Sequence, residues 1–243
     1  MEQFLNHGES GKTINVSRHE LKYMINSSDA SCLANVLGRA LVPDKNNGLY
    51  GYQIRSLYFD TLVNTDFYQK VGGVENRKKI RLRRYGCDSD NIKLEIKRKQ
   101  GMDQIKETII ISKDDAKGLI SGDYDVLCKY KSSTANSIYN LMRANRYRPV
   151  VFVNYNRRAF LHSMNNIRLT LDSEVASNET NFDFFNDNPV LIPVFDFYNC
   201  ILEVKYDGFL PKWITEIISI FNLDNQSFSK YCLSRRLFET YMG

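Results

Sequence analysis

Charged and apolar residues alternate strictly in several short segments of this chain, and that alternation constrains its fold more than any other feature. In segment 78–86, Lys79, Arg81 and Arg83 stand at every second position, with isoleucine and leucine between them. Side chains two residues apart in a strand point to the same side of a sheet, so the segment is predicted to be a strand with one charged face. The same division recurs in segments 17–25, 92–99, 166–172 and 199–206.

Two arrangements of such strands are compatible with this pattern. The charged faces either meet water, as antiparallel sheets often allow, or look inward and line a polar channel whose apolar outside is covered by helices. Neighbouring faces composed almost purely of Arg, Lys and Glu repel one another unless a polyanion or interleaved carboxylates neutralise them. The alternation alone leaves both arrangements open.

The remaining periodicities complete an α+β plan dominated by a sheet or barrel. Further strands are predicted at 53–60, 104–111 and 149–160. Helices are predicted from Ser28 onward, after a capping box at Ser112, and over 134–145, 211–222 and 229–242. The stretch 173–193 has no clear period and is predicted to be a long loop. We expect one domain over residues 1–243, with residues 1–14 as a flexible tail.

Composition and charge narrow the choice of partner. Hydrophobic residues make up 43% and charged residues 25% of the chain, which is typical of a globular protein. The net charge is only +5, but segment 77–99 holds ten basic residues against three acids. Such a local excess favours an anionic partner or, alternatively, a solvated basic face.

Other classes of site lack support in the sequence. No apolar stretch is long enough for a transmembrane helix, and the five cysteines show no C-x-x-C spacing. The three histidines form no ligand cluster, and the glycine-rich phosphate-binding motifs are absent. No aromatic pattern typical of RNA-binding strands accompanies the basic segments, so we expect no nucleic-acid partner. A cytoplasmic location is the simplest expectation.

Eight short motifs occur in one order along nearly the whole chain. They are RHELKY (18–23), RSLYFD (55–60), KIRLRRY (79–85), LEIK (94–97), YNRRAF (155–160), RLTLD (168–172), LEVKY (202–206) and SKY (229–231). Together they resemble the VTC (vacuolar transporter chaperone) polyphosphate polymerase family, a branch of the triphosphate tunnel metalloenzymes. Other branches open with E-x-E-x-K, and Arg18 in place of the first glutamate favours the VTC branch.

The resemblance implies a fold and a direction for the charged faces. It implies an antiparallel eight-stranded β-barrel, the triphosphate tunnel, with helices packed around the outside. The charged faces then point inward, where arginine and lysine hold a linear phosphate chain.

The resemblance also implies roles for individual residues. Catalytic roles fall to Lys22, Arg81, Arg83, Lys97, Lys205 and Lys230. Substrate-binding roles fall to Arg18, Arg55, Lys79, Lys93, Lys106, Arg157, Arg168 and Ser229. Glu203 is the first choice as ligand of Mn²⁺ or Mg²⁺, because hard cations prefer carboxylates. Glu20, Glu95 and Asp172 either bind metal or hold neighbouring arginines and lysines in place.

The function implied is a polyphosphate polymerase that transfers the γ-phosphate of ATP to a growing chain and releases ADP. A metal-dependent tripolyphosphatase or nucleoside triphosphatase on the same fold is one alternative. A non-catalytic polyphosphate sensor is another. The sequence leaves association with a membrane protein partner open.

Overall fold

The structure, a computed structural model, describes residues 18–86, 90–101, 103–196 and 199–235. The strands are β1 (Arg18–Asn26), β2 (Val42–Pro43), β3 (Tyr52–Asp60), β4 (Arg77–Tyr85), β5 (Ile92–Gln100), β6 (Asp103–Ile111), β7 (Arg148–His162), β8 (Ile167–Asn178), β9 (Ile192–Pro193) and β10 (Asn199–Asp207). The α-helices are α1 (Ser27–Ala40), α2 (Thr65–Val71), α3 (Lys113–Ile120), α4 (Ser133–Ala144) and α5 (Lys212–Ser219). Residues 230–235 are also helical.

All these strands belong to one antiparallel sheet. The eight long strands follow the order β1-β10-β8-β7-β3-β4-β5-β6, while β2 pairs with β7 and β9 pairs with β8. This confirms the predicted antiparallel architecture of eight main strands with helices outside. Within the described residues, the ladder ends at β1 and β6, which are not paired with each other.

Contacts between side chains of strands that are not neighbours show that the sheet curls. Arg83 Nη2 on β4 donates to Tyr155 Oη on β7 at 3.1 Å, although β3 lies between these two strands. Two adjacent residues, Ser229 and Lys230, contact Lys79 on β4 and Asp172 on β8, respectively. The sheet therefore has a concave inner face.

The apolar faces of the strands carry the main cores. Leu57, Leu82 and Leu94 lie side by side across β3, β4 and β5, and they pack with α3 and α4. Around β1, β8 and β10, the second core packs against α1 and α5. Helices α1, α3, α4 and α5 thus cover the outer face, and the charged faces lie inside. A third apolar cluster lies on the inner face of β3 and β7, where Phe67 of α2 and Tyr231 pack.

Polar side chains cap the first helix and the helix predicted at Ser112. Helix α1 begins at Ser27, one residue before the predicted Ser28, and Asn26 caps it by accepting a hydrogen bond from the Asp29 backbone N–H at 2.8 Å. Ser112 caps α3, where its Oγ accepts from the Asp115 N–H at 3.2 Å. The predicted helix over 211–222 ends earlier, at Ser219, and Asn222 beyond it is left-handed with φ 48°.

Several elements differ from the sequence prediction. The stretch 173–193 is not a loop throughout, because β8 continues to Asn178 and β9 follows. A bulge in β8, where Glu174 has a positive φ, shifts the register against β7 and hides the alternation. Helix α2 was not predicted. It is short, and its first-turn N–H groups are held by the Asp60 carboxylate at the end of β3.

Some predictions fall on residues that the structure does not describe. The tail over residues 1–14 lies outside the described residues, and so does the part of the predicted helix 229–242 that follows residue 235. In the described part of the chain, every helix is too short or too polar to cross a membrane.

Candidate anion-binding tunnel

Cross-strand register brings most of the predicted site residues to the inner face. Arg81 stands opposite both Tyr58 and Glu95, and Arg157 stands opposite both Tyr52 and Asp172. The basic side chains on this face include Lys22, Lys79, Arg81, Arg83, Lys93, Lys97, Lys106, Arg157, Arg168 and Lys205. The carboxylates among them are Glu20, Glu95, Asp172 and Glu203. Basic groups therefore outnumber acids on this face.

Glu95 on β5 binds basic side chains of the neighbouring strands β4 and β6. Its fully buried carboxylate accepts from Arg81 Nε at 2.7 Å and lies 2.5 Å from Lys106 Nζ. Burial alone would raise the pKa of the Glu95 carboxyl, but Arg81 and Arg83 outweigh burial and hold that pKa well below its usual range. Glu95 therefore stays ionised and orients its cations.

Tyrosine and serine hydroxyls on the inner face orient the same arginines. Arg81 Nη1 donates to Tyr58 Oη at 3.0 Å, and Arg83 Nη2 donates to Tyr155 Oη at 3.1 Å. Ser56 Oγ accepts from Arg83 Nε at 3.3 Å. Sequence reasoning missed these groups. The alternation of Tyr58 and Ser56 along β3, on the face opposite Leu57, was the signal that could have found them.

Asp172 is a second buried carboxylate that fastens two cations. Its Oδ1 accepts a hydrogen bond from Arg157 Nε at 2.6 Å, and its Oδ2 accepts one from Arg157 Nη2 at 2.7 Å. Lys230 Nζ lies 2.5 Å from the same Oδ2. Burial opposes ionisation of Asp172, but Arg157 and Lys230 hold its pKa well below the usual range. Lys230 thereby connects the C-terminal helical segment to the tunnel wall.

Glu20 and Glu203 form a third acidic group, on β1 and β10. Both carboxylates contact the ammonium of Lys205, with Glu20 Oε1 at 3.8 Å and Glu203 in a closer ion pair. Lys22 Nζ also lies 2.8 Å from Glu20 Oε1. Burial would raise the pKa of Glu20, but Lys205 and Lys22 outweigh it and lower this pKa to about 2. Burial lowers the pKa of Lys205 well below its usual range, while the neighbouring Glu20 carboxylate opposes that shift and favours the ammonium form.

Two further lysines have lowered pKa values, so their ammonium groups lose a proton more easily than an exposed lysine does. Burial, reinforced by nearby cations, lowers the pKa of Lys79 to about 8 and that of Lys97 to about 7. Lys79 Nζ donates to Ser229 Oγ at 2.9 Å, so the serine predicted for the site lies at the inner face as well. A bound anion would favour the charged form of both lysines.

The other predicted cations have individual positions. Lys93 lies 4.9 Å from the centre of the Tyr85 ring, and Arg168 Nη2 lies 3.2 Å from Asp44 Oδ2. Lys106 contributes to the Glu95 network, with its side chain 46% exposed. Arg18 begins β1, but its side chain lies outside the description.

Arg55 does not lie with the other predicted site residues. It stands opposite Arg84, on the outer face that also carries Leu57, and it is fully buried. Its Nη1 and Nη2 donate to the carbonyl oxygens of Asn186 and Asp187 at 2.5 and 3.0 Å. The substrate-binding role expected for Arg55 therefore needs correction, because the sheet separates this side chain from the tunnel.

The carboxylates differ in their capacity to hold a metal ion. No group of three or more His, Cys, Asp or Glu side chains in the described part of the chain could hold one. Glu95 and Asp172 already bind arginine. Glu20 and Glu203, by contrast, converge on one ammonium, and two carboxylates together with phosphate oxygens match the preference of Mn²⁺ or Mg²⁺ for oxygen. This pair fits a divalent ion that is shared with a phosphate ligand.

A curled antiparallel sheet whose inner face carries paired arginines, lysines and carboxylates defines a tunnel protein built to surround an anion. Family comparison places it more narrowly. A model of the VTC domain matches residues 17–239, so the chain belongs to the VTC domain family. No protein of curated function matched the sequence.

Solved structures confirm the tunnel fold. A candidate adenylate cyclase from Bacillus halodurans is similar with a TM-score of 0.52 at 12% identity, covering 88% of this chain and 96% of its own. A candidate adenylyl cyclase from Hippeastrum, described as having a dominant triphosphatase activity, has a TM-score of 0.52 at 13% identity. That match covers 89% of this chain and 94% of the Hippeastrum chain. At these identities the likeness shows the fold alone.

Proposed function

We propose that this protein is a metal-dependent polyphosphate polymerase that transfers the γ-phosphate of ATP to a polyphosphate chain and releases ADP. The observation that carries the proposal is the concave inner face, on which oriented basic groups outnumber carboxylates. A concave basic surface of this kind suits a thin linear polyanion. Membership of the VTC domain family supports the same substrate class.

The inner-face residues supply what phosphoryl transfer needs from a protein, which is positioning and neutralisation of charge. Glu95, Tyr58 and Tyr155 orient the guanidinium groups of Arg81 and Arg83. A guanidinium group can donate two parallel hydrogen bonds to the oxygens of one phosphate. Because the arginines are already oriented, little reorganisation is needed when charge develops in the transition state.

The remaining roles divide along the tunnel. Lys79, Lys97 and Arg157 would hold further phosphates of the triphosphate and the growing chain. A divalent ion held by Glu203 and Glu20 would neutralise phosphate oxygens when bound. A terminal chain oxygen would attack the γ-phosphorus as the bond from that phosphorus to the β–γ bridging oxygen breaks, and ADP leaves with that oxygen. The attacking phosphate oxygen is already ionised, so no general base is required.

A hydrolase is the second candidate, favoured by the triphosphatase activity described for the Hippeastrum protein of the same fold. In that case water, rather than a phosphate oxygen, accepts the phosphoryl group. The inner face would hold the triphosphate in the same way.

Product analysis separates these functions. Purified protein is incubated with ATP and Mn²⁺, products are sized on a gel, and ADP and orthophosphate are measured. A polymerase makes a ladder of polyphosphate with ADP, whereas a hydrolase makes orthophosphate and no ladder. Binding of tripolyphosphate without turnover would indicate a sensor and would contradict both catalytic proposals.

Matched variants connect the activity to the inner face. Arg83→Ala is expected to lose most turnover and to weaken tripolyphosphate binding. Arg143→Ala, on the solvent side of α4 with its side chain 66% exposed, should leave both unchanged. Equal activity in the two variants would place the reaction elsewhere.

A further inference from the structure

Lys205 occupies the point at which two carboxylates from neighbouring strands meet. On β10, Glu203 is two residues from Lys205 and contacts it on the same face. On β1, Glu20 is the cross-strand partner of Lys205 and places Oε1 3.8 Å from its ammonium. Lys22, by comparison, has a close contact with Glu20. Among the ion pairs of the described residues, Lys205 is therefore the lysine that contacts both Glu20 and Glu203.

The ammonium group of Lys205 neutralises the two carboxylates in the way that a metal ion would. Two ionised carboxylates that face the same space repel each other, and a cation between them removes that repulsion. A divalent ion bound by Glu20 and Glu203 would need the same space. The lysine and the metal are therefore alternatives at this point.

The fold permits Lys205 to leave. Its side chain is 27% exposed, whereas the Glu203 side chain is only 9% exposed. A lysine has a long flexible stem with a single point charge, unlike the planar arginine side chains held by Glu95 and Asp172. Across the ladder from Lys205 stands Arg168, one of the cations predicted to bind phosphate.

We propose that Lys205 is a displaceable counterion of the Glu20–Glu203 pair: a divalent metal replaces its ammonium, and the released lysine turns towards the bound phosphate chain. Lys205 thereby competes with the metal for the two carboxylates, and it becomes a phosphate ligand only when the metal is present. This inference rests on the proposed function, because it takes a metal and a phosphate ligand from it.

The consequence is a linkage between metal and anion. Without metal, the Lys205 charge is used internally by the two carboxylates. With metal, the same charge becomes available to phosphate. Such coupling between two ligands typically amounts to roughly 5- to 150-fold in affinity.

The test measures Mn²⁺ binding to the intact protein without nucleotide, from the electron paramagnetic resonance signal of free Mn²⁺. Lys205→Met removes the competing ammonium and should tighten Mn²⁺ binding about tenfold, within the usual range of coupling effects. Lys205→Arg keeps the charge and should bind Mn²⁺ no more tightly than the wild type. Lys79→Met is the matched control, because it removes a lysine from the same face that is bound to Ser229 rather than to a carboxylate.

The outcomes are distinct from those that test the polymerase. If Lys205→Met binds Mn²⁺ no more tightly than Lys79→Met, the counterion role is overturned. If the double variant Glu203→Gln/Lys205→Met no longer binds Mn²⁺ more tightly than the wild type, the counterion role is supported. If it still binds Mn²⁺ more tightly, the counterion role is refuted. If Lys205→Met does not fold, Lys205→Gln is compared in the same way. None of these measurements uses ATP, so a failed polymerase assay leaves them unaffected.

Discussion

At the scale of single residues, buried carboxylates set the positions of the basic side chains. Glu95 and Asp172 are both fully buried, and each binds an arginine and a lysine. Forming a buried ion pair contributes little net stability, but removing one partner leaves an uncompensated charge. These acids therefore keep a strongly basic inner face folded before any anion arrives.

Asp172→Asn is expected to lower the free energy of unfolding by about 3–5 kcal/mol, because Arg157 and Lys230 lose their shared counterion. Urea denaturation measures the change. Asp114→Asn is the control, since that side chain is 91% exposed, and it should change stability by less than about 0.5 kcal/mol. Equal effects of the two variants would contradict the role assigned to Asp172.

The Asp172 pair also has a predicted pH dependence. The folded-state pKa of this carboxyl is lowered, so its contribution is fully present above the ordinary aspartate pKa and is lost as pH falls towards the folded-state value. The difference in stability between wild type and Asp172→Asn should therefore shrink on acidification.

Lys79 is expected to take up a proton when tripolyphosphate binds near pH 9. Its pKa in the free protein is about 8, lowered by burial, and a bound anion raises that pKa. Affinity should therefore fall as pH rises through about 8. Titration calorimetry in buffers of different ionisation enthalpy counts the protons.

Lys79→Arg supplies the comparison, since arginine stays protonated in this range. It should take up fewer protons than the wild type, and protons belonging to the ligand cancel in the difference. The same proton count in both proteins would show that Lys79 does not sense the anion.

At the scale of elements, the C-terminal helical segment is fastened to the tunnel by polar contacts. Lys230 pairs with Asp172, and Tyr231 Oη donates to Asp60 Oδ2 at 2.5 Å. The same Asp60 oxygen accepts from the Phe67 N–H in the first turn of α2. Arg235 Nη2 donates to Asn64 Oδ1 at 2.9 Å, just before α2. The segment and α2 are thus held together around the end of β3.

Tyr231→Phe is expected to reduce stability by about 1.5–3 kcal/mol, the usual range for a hydrogen bond to a charged group. The ring remains, so its packing against Tyr58 and Phe67 is kept. Thermal unfolding measures the loss. Tyr68→Phe, at an exposed position of α2, serves as the control and should change little. A neutral Tyr231→Phe would mean that the hydroxyl does not hold the segment.

At the scale of the whole molecule, the distribution of charge determines which anions bind more than the net charge does. The net charge is only +5, whereas the inner face gathers many of the basic groups behind a curled sheet. A thin phosphate chain can follow a concave basic surface, whereas a wide and rigid duplex contacts such a surface less completely.

Tripolyphosphate and long polyphosphate are therefore expected to bind far more tightly than orthophosphate, and binding should weaken steeply as salt rises. Fluorescence competition with a labelled polyphosphate measures the order. Duplex DNA at equal phosphate concentration should displace little of the probe. Efficient displacement by DNA would instead indicate an exposed basic surface.

Much of the architecture was determined by the sequence itself. Alternation in β4 and β5 predicts both faces correctly, because a period of two leaves a strand no other way to separate Arg81 from Leu82. The same rule could have shown that Arg55 shares the face of Leu57 and Phe59. The motif match took precedence, and the structure places Arg55 outside the tunnel.

The alternation left open which face lies inside, and the tertiary structure decided it together with the pairing of the charges. Alternation is symmetric between the two sides of a sheet, so only curvature and helix packing distinguish a channel from a solvated face. Likewise, Lys205 meets Glu20 and Lys230 meets Asp172 across long separations in sequence. Such partners follow from register and docking, which depend on the whole fold, whereas local spacing determines only the direction of each side chain.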